Sequence, residues 1–441
     1  MQSWTRPQDN PIRSLITLFV GWKALLLLIA TCSPGLGYDT SASLFYGGPD
    51  HDDQLPLVLR YIVGKLTRWD AIYFVKASRR GYLFEQEWAF GWGFTRLIAL
   101  CVEGLKKLGV SNYVGVEGLV AICIAHVSHL LSVLAVFSLT RALFFTYSVT
   151  FAFRAAAFHI ISPAGLFLSS PYAESSCALL SFTGCLLFTK SIVHKGPNTT
   201  THDLLVLLSG ICFGIATTFR SNGILNGLLL LEEAFRTLLM LKDGLQLSVL
   251  RRLLSTGLGG MSVGAGFLIP QYIAYSEYCG ETGTAIRPWC QRSLPSIYTF
   301  VQDYYWNCGF LRYWTVSNLP LFLLAMPMFG ILTTSGFWAL KLNASDRQGQ
   351  FDKTQRTKEG SGAQQVVRNL AVTQLSLVLL TLSTAHVQII TRISSAFPVW
   401  LWYGSKASQD GKTMLVGGFV KFMVIYALVQ GGLYASFLPP A

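Results

Sequence analysis

From Leu15 to Phe437 the chain is a succession of apolar runs, each about 20 residues long, which is the length a helix needs to cross the hydrocarbon of a bilayer. Runs of that kind are expected near Leu15 to Thr31, Val116 to Leu139, Ala142 to Ile161, Leu166 to Thr189, Leu204 to Phe219, Ile224 to Met240, Leu253 to Ala274, Leu319 to Leu340, Leu370 to Ile390 and Met414 to Phe437. Counting them gives an all-α polytopic membrane protein of about eight to ten transmembrane helices. Composition agrees: 52% of the 441 residues are apolar and 13% are charged, about half the charge of ordinary soluble domains. A soluble chain of this length would need a charged exterior that this one lacks.

The net charge of +12 would suit a nucleic-acid binder if the cations clustered on a water-facing domain. They lie instead in short loops between apolar runs, so a topological role is expected and nucleic acid is not. With the N-terminus cytosolic, residues 32–114 form a first luminal loop, 275–318 a luminal aromatic loop and 341–368 a flexible cytosolic basic linker, all within one membrane domain spanning 1–441. Phe94 to Val110, apolar but interrupted by Arg96, Glu103, Lys106 and Lys107, reads as an interfacial amphipathic helix. His386 to Lys412 is placed on the luminal side as a whole. Sequons at Asn198 and Asn343 fall on the cytosolic side. Cys279 and Cys290 share one polar loop, where they form either a disulfide, if it faces an oxidising lumen, or two free thiols.

The luminal set collects the chemistry. Arg68-Trp69-Asp70 places a carboxylate among interfacial aromatics, where it would serve as a general base for a hydroxyl, as a helix N-cap, or as a surface ion pair with Arg68. Glu85 and Glu87 offer a second acid, or loop charges paired with Arg79 and Arg80. Glu174 follows Ser170-Pro171-Tyr172-Ala173 at a span boundary, either as a functional acid at membrane depth or as a charge favoured by the helix dipole. Arg220-Ser221-Asn222-Gly223 is a phosphate cradle or a tight turn. Trp306, Asn307 and Arg312 lie in an aromatic loop suited to stacking on a sugar or to the interfacial belt. His386, Gln388 and Arg392 close a span, where cations hold a phosphate leaving group or anchor the interface. His126 and His129 have helical spacing but no acidic third ligand, so no metal and no cofactor is expected.

These segments resemble a known family, the PIG-V type GPI mannosyltransferases of the GT-C class. The matching residues are Arg68-Trp-Asp-Ala, Arg80-Gly-Tyr, Glu87-Trp-Ala-Phe, Ser162-Pro-Ala, Ser170-Pro-Tyr-Ala-Glu-Ser, Arg220-Ser-Asn-Gly, Pro288-Trp-Cys, Tyr304 through Tyr313, His386-Val-Gln and Thr391-Arg392. They occur in family order over nearly the whole chain; Trp92-Gly93 departs, where many relatives have Pro-Gly. The resemblance implies a GT-C-like bundle in the endoplasmic reticulum membrane. It also implies dolichyl-phosphate-mannose as donor substrate, a GPI lipid intermediate as acceptor, an inverting α-1,6 transfer facing the lumen, and a small membrane partner subunit as in fungal relatives. Asp70 is then the expected base, with Glu87 the second catalytic candidate. Arg68, Trp69, Glu174, Arg220, Asn222, Trp306, Asn307, Arg312, His386, Gln388 and Arg392 are the candidate substrate contacts. Two rivals share the composition: a mannosyltransferase acting on a dolichol-linked oligosaccharide, and a lipid transporter or scramblase, which should show internal repeats that this sequence lacks.

Overall fold

The computed structural model describes residues 8–35, 55–109, 113, 115–193, 199–280, 287–342 and 353–439. Both sequons lie outside them. The described elements are helices throughout, without a strand among them. In chain order they are α1 (Pro11–Cys32), α2 (Leu57–Leu66), α3 (Asp70–Arg80), α4 (Trp92–Lys107), α5 (Val116–Leu143), α6 (Val149–Ile160), α7 (Glu174–Val193), α8 (Thr199–Phe219), α9 (Gly227–Met240), α10 (Leu247–Tyr278), α11 (Ile297–Tyr304), α12 (Leu319–Lys341), α13 (Lys353–Thr384), α14 (Val399–Gln409) and α15 (Thr413–Ala435). Eight of the described helices are long and apolar enough to cross a membrane.

Two of the expected spans are shorter than a bilayer. Helix α6 has 12 residues and α9 has 14, which at 1.5 Å per residue gives lengths of about 18 and 21 Å against a core of about 30 Å. Pro163 stops α6, because proline lacks the donor that a continuing helix requires and disfavours helical geometry at Ser162. From Ser162 to Ala173 the chain runs buried and non-helical apart from a 3-10 turn at Gly165–Leu168, so the span expected from Leu166 begins only at Glu174. Helix α9 is likewise preceded by a 3-10 turn, Ser221–Asn226.

Helix α5 is a ruler for the two ends of the bundle, since its 28 residues span about 42 Å. Near its start Glu117 lies 4.0 Å from Arg79 of α3; near its end Thr140 accepts the Trp402 indole N–H of α14 at 2.8 Å. The expectation that His386 to Lys412 stays on one side is therefore corrected. His386 is at the α3 end, whereas Trp402 has returned to the opposite end. Helix α14 carries Gly404, Ser405 and Lys406 within 11 residues, so no bilayer-length apolar run announces this return. Helix α15 then climbs back, and its Tyr434 hydroxyl reaches the Leu66 carbonyl at 2.8 Å.

The basic linker is also shorter than expected, because the chain is helical from Lys353 onward. Ala363, Val366, Val367, Leu370 and Ala371 recur at helical spacing and are buried, which turns a charged sequence into a packed helix. At the same end of the bundle Arg252 of α10 donates to Glu233 of α9 at 2.8 Å and to the His202 carbonyl of α8 at 3.1 Å.

Helices α8 and α10 approach through glycines. A Cβ on Gly210 would come within 2.3 Å of the Gly259 Cα, and one on Gly266 within 2.1 Å of the Gly214 carbonyl oxygen. In lipid, where apolar burial does not drive helices together, such backbone contact is a main source of association. Gly210→Val is expected to force the pair apart at a cost of roughly 1–3 kcal/mol, read as a lower thermal midpoint of the detergent-solubilised protein; an unchanged midpoint would show that the contact is dispensable.

Candidate functional site

The site is built on the turn between α2 and α3. Trp69 adopts a left-handed φ of 56°, unusual for a bulky residue, and two contacts hold it there. Its ring packs on Phe437 at 5.4 Å, and the Tyr434 hydroxyl, besides its contact with Leu66, lies 3.0 Å from the Arg68 carbonyl and accepts the Arg68 N–H at 3.2 Å. The Arg68 guanidinium stacks over the Phe437 ring at 4.7 Å. The turn places Asp70 as the first residue of α3.

Arg392 reaches Asp70 from the short helical turn Ile390–Ile393, with Nη1 and Nη2 each 3.4 Å from Asp70 Oδ2. Its Nε donates to Glu174 Oε1 at 2.9 Å, and Arg220 Nη1 donates to the same oxygen at 2.7 Å. Asp70, Arg392, Glu174 and Arg220 thus form one chain of alternating charge. The Glu174 side chain is 0% exposed and that of Asp70 is 38% exposed, so the buried acid is locked by cations while the other acid opens to solvent. Burial opposes the charge on Arg392, but Glu174 and Asp70 outweigh it and hold the guanidinium above its ordinary range. The Phe167 and Tyr172 rings pack on that guanidinium at 4.4 and 4.8 Å.

Asp70 faces a cavity of about 730 Å³, within the range of small-molecule sites. Of the residues anticipated from sequence, Trp69, Asp70, Glu87, Arg220, Asn222, Trp306, His386, Gln388 and Arg392 line it. Arg68 and Glu174 stand behind the wall. Asn307 and Arg312 lie outside it, Asn307 in a left-handed turn and Arg312 paired with Asp303. Glu87 is committed elsewhere: Arg80 grips it at 2.6 and 3.2 Å, and the Leu83 and Phe84 N–H groups donate to it at 2.9 and 3.3 Å. These bonds shape the turn after α3. Glu85 accepts the Trp289 indole N–H at 2.9 Å and the Tyr305 hydroxyl at 3.3 Å, so it ties this turn to the aromatic loop. Cys279 and Cys290, left open by the sequence, are joined as a disulfide beside Trp289.

His386 contacts the Trp306 carbonyl at 3.1 Å and stacks on Tyr313 at 4.8 Å, while Gln388 accepts the Tyr313 hydroxyl at 3.0 Å. Gln302 and Tyr298 of the luminal aromatic loop also line the wall, the Tyr298 hydroxyl meeting Ser221 at 2.8 Å, whereas sequence reasoning missed Lys76 and Phe437. Lys76 follows Tyr73, another residue of the wall, by three positions on α3; nothing local marks Phe437. No group of three or more potential metal ligands occurs among the described residues.

Removing the charge of Glu174 sets two part-buried guanidinia against a neutral, fully buried amide. Glu174→Gln is expected to cost roughly 3 kcal/mol or more, whereas Arg312→Ala, at an exposed pair, costs roughly 0–1 kcal/mol. Thermal midpoints of the two variants check the ordering, and equal midpoints would contradict it.

The family model described as mannosyltransferase (PIG-V) matches residues 12–441. The GPI mannosyltransferase 2 of Chaetomium globosum is 44% identical over 463 residues, covering 98% of this chain and 97% of its own. That of Gibberella zeae is 42% identical, covering 98% and 99%, and that of Yarrowia lipolytica is 32% identical, covering 97% and 99%. Among solved structures, the Archaeoglobus fulgidus oligosaccharyltransferase is similar with a TM-score of 0.44 at 13% identity over 94% of this chain and 53% of its own. ArnT from Cupriavidus metallidurans is similar with a TM-score of 0.39 at 14% identity over 95% and 77%. The sequence matches carry the assignment: the chain belongs to the PIG-V mannosyltransferase family.

Proposed function

We propose that this chain adds the second mannose of the GPI core, transferring it from dolichyl-phosphate-mannose to the 6-hydroxyl of the monomannosylated, inositol-acylated GPI intermediate at the luminal face of the endoplasmic reticulum membrane. The full-length similarity to relatives named GPI mannosyltransferase 2 supports the reaction class, and the bundle is then of the GT-C type that the family implies. The observation that carries the chemistry is the position of Asp70. Both Arg392 contacts fall on Oδ2, and the Asp70 side chain, 38% exposed, lines the open cavity.

In this proposal the acceptor hydroxyl gives its proton to Asp70 as its oxygen attacks the anomeric carbon. The bond from that carbon to the phosphate oxygen breaks, and the electron pair leaves with dolichyl phosphate. Attack opposite the leaving group converts a β-linked donor into an α-linked product. Arg220 and Arg392 stabilise the departing phosphate, with Asn222 and His386 on the same wall. Trp69 and Trp306 offer flat faces to the sugars. The disulfide supports a luminal site, since such bonds persist in oxidising compartments and Cys290 adjoins Trp289, which bonds Glu85.

The test is mannose transfer in membranes, with the small partner subunit that the family implies supplied. Asp70→Asn is expected to lower transfer by roughly 10²–10⁴-fold at unchanged protein level. Normal transfer by that variant would make Asp70 structural, and none by the native chain would refute this acceptor. No metal enters the reaction as proposed, so transfer should persist in excess chelator; a loss restored by a divalent ion would overturn that part.

A further inference from the structure

Lys23 interrupts the apolar run of α1 and is buried, with 7% of its surface exposed. A lysine at membrane depth costs about 2.5–3.5 kcal/mol even with relaxation around it. No carboxylate lies within ion-pairing distance of it among the described residues. Its Nζ donates to the Leu168 carbonyl at 2.8 Å and to the Ser169 hydroxyl at 2.7 Å. Both acceptors belong to the non-helical segment between α6 and α7, where free backbone groups at membrane depth must find partners. The Leu168 carbonyl takes a second bond from the Ser175 hydroxyl at 3.1 Å.

Helix α1 does not need this lysine to dock. Leu15, Phe19, Leu26 and Ala30 already lie in the apolar core. What Lys23 holds is the segment that carries Phe167 and Tyr172, the two rings packed against the Arg392 guanidinium. The Phe167 ring also abuts Tyr434 at 5.3 Å, the residue that fixes the turn before Asp70. One buried amine thus anchors the floor beneath both halves of the Asp70–Arg392 pair.

We infer that Lys23 is a positioning residue for mannose transfer: by binding Leu168 and Ser169 it sets Phe167 and Tyr172, and through them the orientation of Arg392 against Asp70. The inference rests on Asp70 being the base. Displacing catalytic groups by about 1 Å can cost 10²-fold in rate without a contact to substrate being lost. The signature of Lys23 is therefore a fall in kcat at constant KM.

Turnover per molecule and KM for both substrates are measured in membranes for the native chain, Lys23→Met, Lys23→Arg, Ser169→Ala, the Lys23→Met/Ser169→Ala double variant and Asp70→Asn. Lys23→Met should lose roughly ten- to hundredfold in kcat with KM unchanged, and Lys23→Arg should regain most of it. Ser169→Ala should lose less, and the double variant no more than Lys23→Met alone, because both changes cut the same link. Native kcat in Lys23→Met overturns the inference, as does a defect confined to protein level. Where Lys23→Met fails to accumulate, native kcat in a normally accumulating Ser169→Ala overturns it instead. Full activity in Asp70→Asn refutes the base assignment, whereas an inactive Asp70→Asn beside a fully active Lys23→Met refutes the role of Lys23 alone.

Discussion

The site depends on a single carboxylate oxygen. Glu174 Oε1 receives both Arg220 and Arg392, and without it two cations from distant segments would face each other in a medium of low dielectric, where like charges repel strongly. With it, one buried negative charge is shared by two positive ones, and the excess is answered by Asp70 at the cavity edge. The arrangement explains why the open acid and the buried acid occur together. The buried acid assembles the arginines, and one of them, Arg392, orients the open acid.

Around this hub the backbone is bent where helices would prevent contact. Proline ends α6 early, a 3-10 turn precedes α9, and Trp69 takes a left-handed conformation. Each departure places a polar residue in the cavity wall or directly behind it, and each is held by aromatic packing or by a hydroxyl. Local strain at such positions is tolerated because the surroundings over-determine them.

Much of this was legible in the sequence. Apolar runs of bilayer length located the long helices, and polar motifs at their ends named most of the cavity wall. What failed had a physical cause. Most of α14 is buried among other helices, Trp400, Trp402, Gly404 and Ser405 included, so the return needs no apolar run of bilayer length to announce it. The later part of the linker proved to belong to α13, and only the helical spacing of the buried Ala363, Val366 and Val367 reveals it. Glu87, of the two readings the sequence allowed, has the pairing with Arg80 and also lines the cavity, where Arg80 and two backbone donors hold it. Phe437 and Tyr434 enter the site from the far end of the chain, where no local motif marks them.

That last contact orders events in time. The bond between Arg68 and Tyr434 joins residues separated by 366 positions, and at ribosomal rates of about 5–20 residues per second the second partner follows the first by tens of seconds. Throughout that interval the Trp69 turn has emerged without the hydroxyl that fixes it. The turn that presents Asp70 to the cavity is therefore secured only once α15 has emerged, so the order of this wall depends on a helix made long after it.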